Sequence, residues 1–244
     1  MSATGLRSRK ALAPARALYH RLPAPVRRKL HTRVWRSRFG VETVRNYVID
    51  RRYGGWCGGT QIDLNDDPNC LGYSGADYVQ LARIFGPGGV AIGPDDVLVD
   101  VGCGKGRVLN FWLHRGLRNR LLGVELDHEL AERAGRRLAD HPNVQVIEGD
   151  ARAVCPPEAT IFFLFNPFGA PVMRAFRDWL AATAGERSST TVVYYYALKR
   201  GVFDEDPAWD VQALSVGTFH PAVVARLRPA GGLTADSMYR EQPA

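Results

Sequence analysis

At 244 residues the chain is long enough to bury one sizeable core, and its 45% hydrophobic and 23% charged content excludes a wholly disordered protein. No apolar run approaches the roughly 18 residues of a membrane span, and Cys57, Cys70, Cys103 and Cys155 are scattered without a Cys-x-x-Cys pair, which argues against a zinc site or a disulfide framework. The net charge of +7 is not spread over the fold: residues 1–40 hold 11 Lys and Arg and no acid, leaving 21 bases against 25 acids, a net −4, in the remainder.

Met1 to Leu22 is rich in Ser, Ala and Arg, is followed by Pro23 and Pro25, and lacks the apolar centre of a secretory signal. A cytoplasmic protein is expected. The Arg-rich, acid-free start also suits an organelle transit peptide, which stays open as the alternative. Pro25 to Phe39 predicts a short helix, with Pro in its first turn and Gly40 just past its end. Its thin apolar stripe of Val26, Leu30 and Val34 is surrounded by Arg27, Arg28, Lys29, Arg33, Arg36 and Arg38. Such a face suits the phosphates of a nucleic acid or an anionic membrane surface, and equally a solvated helix packed lightly on a domain.

Asp50-Arg51-Arg52-Tyr53-Gly54-Gly55-Trp56-Cys57-Gly58-Gly59 reads as a flexible loop with one aromatic handle. Either it closes over a site as a lid, or Trp56 pins it to the core. Ala76 to Phe85 predicts a helix burying Tyr78, Leu81, Ala82 and Phe85, stopped by Gly86-Pro87-Gly88-Gly89. Regular alternation then begins. Strands are expected at Val97–Val101, Leu121–Glu125, Val144–Glu148, Thr160–Phe165 and Thr191–Ala197. Between them lie helical stretches near residues 106–115, after a cap at Asp127, and from Pro171, the last burying Val172, Phe176, Trp179 and Leu180. Strands separated by helices make a doubly wound parallel sheet. Trp209–Val216 and Ala222–Leu227 leave no room for a crossover helix, so they should pair antiparallel. The tail from Pro229 reads as irregular.

The stretch Val97-Leu98-Val99-Asp100-Val101-Gly102-Cys103-Gly104-Lys105-Gly106-Arg107-Val108 runs from strand through three alternating glycines into a helix. Backbone without side chains lets a ligand approach closely. A dinucleotide fingerprint needs Gly-x-Gly-x-x-Gly, but here the third glycine comes one residue early and Arg107 stands where that pattern wants Gly, which disfavours a nicotinamide dehydrogenase. A P-loop fails because Gly104-Lys105 is followed by Gly106. Asp100, Glu125 and Asp150 stand at or just beyond the ends of the first three predicted strands, where ligands of open α/β sheets bind. Singly, each acid also reads as a helix cap or a solvated loop residue.

Asp-x-Gly-x-Gly-x-Gly resembles motif I of the class I S-adenosylmethionine (SAM)-dependent methyltransferases. The resemblance implies a seven-stranded α/β fold: a mostly parallel sheet ending in an antiparallel hairpin, with residues 41–244 as the domain (core about 76–228) behind a basic arm at 1–40. It implies SAM as cofactor and no metal. Cofactor contacts would come from Asp100, Gly102, Cys103, Gly104 and Gly106 in motif I, with Asp100 suited to the methionine ammonium. Glu125 would take the ribose hydroxyls, and Asp150 with Ala151 the adenine. Cys103 is read as a small buried residue, not a nucleophile. Asp50-Arg51-Arg52 together with Phe165-Asn166-Pro167-Phe168 resembles a bacterial group of these enzymes with unassigned substrate, in which a Tyr precedes the first helix, so Tyr73 is added to the cofactor contacts.

Asn166-Pro167-Phe168 stands where motif IV is expected and is similar to the Asn-Pro-Pro-aromatic motif of amino-group methyltransferases, with the second Pro missing. The carbonyl oxygens of Asn166 and Pro167 would accept the two N–H bonds of an amine, and Phe168 would stack on a planar target. Asn-Pro is equally a turn signal. The expected reaction is methyl transfer to an amine of a protein or small metabolite. A nucleic-acid (RNA) methyltransferase or RNA-binding protein anchored by residues 1–40, a small-molecule O-methyltransferase and a membrane-peripheral module are the alternatives.

Overall fold

The computed structural model describes residues 38–61, 73–186 and 189–229. The expected arm helix before Arg38, and the tail beyond Pro229, lie outside the described residues. The first described element is α1, Arg38–Arg52, which the sequence reading did not contain. Gly40 lies inside this helix instead of ending one before it. An interior glycine costs a helix only about 1 kcal/mol, which tertiary contacts readily offset. Two-residue strands at Thr60–Gln61 and Tyr73–Ser74 pair antiparallel. Then comes α2, Tyr78–Ile84, which buries Tyr78, Leu81 and Ile84; Ala82, expected inward, is exposed.

The alternating part follows the predicted order to within a few residues at each end. Its strands are β1 (Leu98–Val101), β2 (Leu121–Glu125), β3 (Val144–Glu148), β4 (Ile161–Phe165), β5 (Thr191–Tyr195), β6 (Trp209–Ala213) and β7 (Ala222–Leu227). Its helices are α3 (Arg107–His114), α4 (His128–Leu138), α5 (Ala151–Val154), α6 (Ala170–Ala182) and α7 (Gly201–Asp204). The seven strands form one sheet in the order β3-β2-β1-β4-β5-β7-β6. Its first five strands are parallel, while β7 pairs antiparallel with both β5 and β6. The fold is the doubly wound sheet with a terminal antiparallel hairpin that the sequence predicted.

Both faces of the sheet are buried, so its strands are almost continuously apolar. Leu98, Leu121, Ile161, Phe163 and Val193 face one core, with α2 and α3. Val99, Leu122, Phe162, Leu164 and Val192 face the other, with Met173, Phe176 and Leu180 of α6. Val172 and Trp179, expected inward on α6, are only half-buried. Asp127 caps α4 as predicted, accepting the Leu130 N–H at 2.8 Å. No helix among the described residues is long and apolar enough to cross a membrane.

A buried polar cluster joins α1 to this core. The Asp50 side chain is 0% exposed; it accepts hydrogen bonds from the Arg107 Nη2 (2.7 Å), the Tyr78 hydroxyl (2.7 Å) and the Cys57 N–H (3.0 Å). Arg107 also lies 5.2 Å from the Trp56 ring centroid. Trp56 is thus not pinned into the core: its ring is 44% exposed and sits over a cation. One turn earlier on α1, Asn46 donates to Asp77 and accepts the Tyr78 N–H at 3.1 Å, closing the start of α2. Removing one member of a buried ion pair leaves the other charged and desolvated. Asp50→Ala is therefore expected to lower unfolding free energy by about 3–5 kcal/mol in urea titration; a loss under about 1 kcal/mol would contradict this role for the pair.

Candidate active site

Gly102, Gly104 and Gly106 have φ of 75°, 52° and 74°, so the alternating spacing in the sequence becomes three left-handed residues in a five-residue turn. That conformation is open to glycine and strained for residues with a Cβ. The N–H groups of Gly102 and Cys103 donate to the Val124 carbonyl at 2.9 and 3.0 Å and hold the turn against β2. A Cβ on Gly102 would lie 3.2 Å from Cβ of Pro167, and one on Gly106 would lie 2.9 Å from Nη2 of Arg137. The first of these contacts brings the glycine turn against the Asn166-Pro167 segment.

Glu125, the last residue of β2, braces the same turn. Its carboxylate accepts the Gly104 N–H at 2.7 Å and the N–H groups of Leu126 and Asp127 at 2.8 and 3.0 Å. Asp100 lies on the same face of the sheet, opposite Gly123 in register. It is buried, and among the described residues its carboxylate accepts no hydrogen bond. Burial first, and the negative charge of Glu125 second, push its pKa well above the usual carboxylate range. A buried carboxyl without a donor is costly, and the group that would relieve it is a cation. The Asp100 carboxyl and the open glycine backbone together fit the methionine end of SAM.

Cys103 fills the space that Gly123 leaves: a Cβ on that glycine would lie 2.8 Å from the Cys103 Sγ. Cys103 is buried, as expected from the sequence, and burial, then Asp100 and Glu125, drive its thiol pKa up. Asp150 follows β3 and caps α5, accepting the Arg152 N–H at 2.9 Å. The Arg152 side chain bonds it as well and holds its pKa below the usual carboxylate range. The cap reading therefore describes Asp150 in this structure, with Ala151 buried as the first residue of α5. The Tyr73 backbone belongs to the short ladder opposite Gln61, and its side chain lies outside the described residues.

Beyond β4, Asn166 adopts a φ of 45°, uncommon for a residue with a side chain. Its Oδ1 accepts the Tyr194 hydroxyl proton at 2.7 Å, while that hydroxyl accepts the Lys199 N–H at 3.2 Å. Because Tyr194 already accepts from Lys199, its own proton points to Asn166, and this fixes the amide orientation. Burial pushes the Tyr194 pKa up to about 12, so it remains a neutral donor. Tyr194 was not found from the sequence; the signal available was the β4–β5 register alone. Phe168 turns towards Phe176 of α6, with centroids 5.8 Å apart, so one side of its ring is spent on the core rather than on a planar target.

The segment Tyr53 to Gly59 is stitched to the glycine turn. Arg137 donates to the carbonyls of Tyr53 and Lys105, Lys105 Nζ donates to the Gly58 carbonyl at 3.3 Å, and the Cys57 thiol donates to the Lys105 carbonyl at 3.2 Å. The loop forms a fixed wall beside the turn.

Strand order, the left-handed glycine turn and acids at successive strand tips agree with what the resemblance to the class I SAM-dependent methyltransferases implied. Residues 98–182 match a family model described as "Methyltransferase domain". A search of curated proteins returns no match. Among solved structures, the chain is similar to the 23S rRNA methyltransferase ErmE (21% identity, 57% of this chain and 64% of that one, TM-score 0.41). It is similar also to an RNA methyltransferase from Salinibacter ruber in complex with S-adenosyl-L-homocysteine (23%, 62% and 86%, 0.40). A third is the O-methyltransferase TomG from Streptomyces achromogenes in complex with SAM (16%, 62% and 78%, 0.42). The chain thus spans just under two thirds of ErmE, and the acceptors named differ among the three.

The raised pKa of Asp100 has a consequence for stability. The unfolded chain releases this proton near pH ~4, whereas the folded protein keeps it to higher pH. The folded state then binds more protons, so stability falls as pH rises from the unfolded pKa through the folded one. Asp100→Asn removes that loss. By scanning calorimetry the ligand-free variant is expected to melt above wild type at neutral pH, with the difference vanishing below about pH 4. A variant melting below wild type at neutral pH would contradict the assignment.

Proposed function

We propose that the protein transfers the methyl group of SAM to an amine nitrogen of a protein or a small metabolite. The observation that supports this most is the contact between Gly102 and Pro167, which sets the Asn166-Pro167 carbonyls beside the cofactor turn. SAM, when bound, supplies a methyl group activated by its sulfonium. In this reading Asp100 takes the methionine ammonium. Glu125 spends three of a carboxylate's about four acceptor directions on the Gly104, Leu126 and Asp127 N–H groups and keeps one for a ribose hydroxyl. Asp150, still half-exposed at its cap, accepts from the adenine amino group, and the half-buried Pro167 and Phe168 wall the site.

An amine acceptor carries its own lone pair, so the protein's task is orientation. Asn166 Oδ1 has a second lone pair beyond the one given to Tyr194, and the Pro167 carbonyl offers another acceptor. Two N–H bonds held by these oxygens leave the nitrogen lone pair directed at the methyl group.

Isothermal calorimetry with SAM and S-adenosylhomocysteine tests the cofactor half. Both are expected to bind, with Glu125→Ala weaker by about 1.5–3 kcal/mol through lost charge-assisted bonds. Binding of neither would overturn the reading, and unchanged affinity in the variant would overturn the ribose role. Asn166→Ala is expected to lower kcat for an amine acceptor about 100-fold, with SAM affinity unchanged. An unaltered kcat would remove Asn166 from the site.

A further inference from the structure

We propose that the groove between the loop after α1 and helix α4 is an anion site that takes a doubly charged phosphate group. It is independent of the methyl-transfer reading, because none of its cations belongs to the set assigned to SAM or to the acceptor. The groove has a volume of about 250 Å³ and lies between residues 54–57 and α4, where Lys105, Arg133, Arg136 and Arg137 line it. Pockets for drug-sized ligands run from roughly 300 to 1,000 Å³, so this one suits a single small group better than a whole cofactor. Four cations meet here although the chain after residue 40 carries 21 bases against 25 acids. Like charges brought together repel, and an anion set among them removes that cost.

The partners of the three arginines leave most of their charge in place. Arg137 donates to the carbonyls of Tyr53 and Lys105 and to Oδ1 of Asn110, all neutral acceptors. Arg133 is exposed and, among the described residues, makes no hydrogen bond or ion pair; Glu129, one turn before it on α4, does not pair with it. Arg136 pairs with Glu132, also one turn earlier. Both side chains of that pair are about half exposed or more, and such a pair contributes little and re-forms readily around another anion. The acid beneath the loop, Asp50, is 0% exposed and already bonded to Arg107.

Two features select a phosphate dianion over a carboxylate. A carboxylate brings one charge and two oxygens, whereas a phosphate monoester brings a charge of about −1.5 to −2 at pH 7 and three strong acceptor oxygens. Three guanidinium forks at one groove match the second. The floor is also fixed before any ligand arrives. Arg137 is held at three points, and the buried Cys57 thiol donates to the Lys105 carbonyl at 3.2 Å. Burial pushes the Cys57 pKa up, so the thiol stays neutral and adds no competing negative charge. A site built in advance loses less entropy when it fills. Trp56 stands at the same groove with its ring 44% exposed, an apolar surface for whatever carries the phosphate.

Calorimetric titration of the full chain at physiological ionic strength, where a Debye length of about 8 Å screens distant charges, tests the site. The probes are inorganic phosphate, phenyl phosphate, dimethyl phosphate and acetate. Saturable binding is expected for the first two and none, at the same concentrations, for the singly charged pair. Phenyl phosphate binding more tightly than inorganic phosphate assigns the site to an ester whose body rests on Trp56; equal affinity assigns it to phosphate itself. Arg133→Ala should weaken phosphate binding about 10-fold or more, and Arg133→Ala with Arg136→Ala further still. Arg174→Ala, which removes the same charge from α6 on the opposite face of the sheet, should bind like wild type. Melting temperatures equal to wild type without phosphate show that the variants fold. Binding of neither dianion, an Arg133→Ala affinity like wild type, an equal loss in Arg174→Ala, or equal binding of dimethyl phosphate or acetate would each overturn the site. None of these outcomes bears on S-adenosylhomocysteine binding, which tests the methyl-transfer reading separately.

Discussion

A carboxyl group buried without a hydrogen-bond donor, one strand away from a second buried acid, is the constraint on which the site depends. Asp100 and Glu125 occupy the same face of β1 and β2, and burial first, with the charge of Glu125 second, pushes the Asp100 pKa well above the usual carboxylate range. Glu125 relieves its own burial with three backbone N–H groups, one of them from the glycine turn. The turn can offer that N–H because its glycines accept left-handed φ. Acid, turn and strand order are therefore one arrangement. Among the described residues the Asp100 carboxylate accepts no hydrogen bond, which is a cost to the ligand-free fold.

The N-terminal helix is joined to this arrangement by chemistry of the opposite kind. Asp50 and Arg107 bury full charges, but each is satisfied, and Tyr78, Cys57 and Trp56 complete the cluster. Arg107 is the first residue of α3, directly after the glycine turn, so the pair ties α1 to the end of the cofactor loop. Arg137 adds a second tie by reaching Tyr53 and Lys105 at once. What reads in sequence as a flexible Gly-rich loop is consequently a braced wall.

The sheet was legible because each of its strands is a short β-branched or aromatic run bounded by turn residues, and its helices carry regular apolar stripes. Asp127 and the glycine turn were legible for the same local reason. Helix α1 was not. Its inward face carries Asn46 and Asp50 four residues apart, polar residues whose partners at Asp77, Tyr78 and Arg107 lie 28 to 57 residues away. A periodicity argument reads such a face as solvent-exposed. Gly40 was given the weight of a stop signal although the helix runs through it. At the site, Asp100 and Glu125 could be placed from strand ends, whereas Tyr194 depends on the register between β4 and β5 and on the strained backbone of Asn166. Phe168 was read as stacking on a planar target from its place in the motif; the contact of one side of its ring with Phe176 of α6 could not be read from the sequence.

The central claim is that Asp100 releases its proton to solvent when a ligand's ammonium binds beside it. Calorimetric titration with S-adenosylhomocysteine at mildly acidic pH, repeated in buffers of different ionisation heat, counts protons released on binding. Release is predicted for this ligand and not for 5′-methylthioadenosine, which lacks the amino acid moiety. Equal proton counts for the two, or none for S-adenosylhomocysteine, would contradict the account.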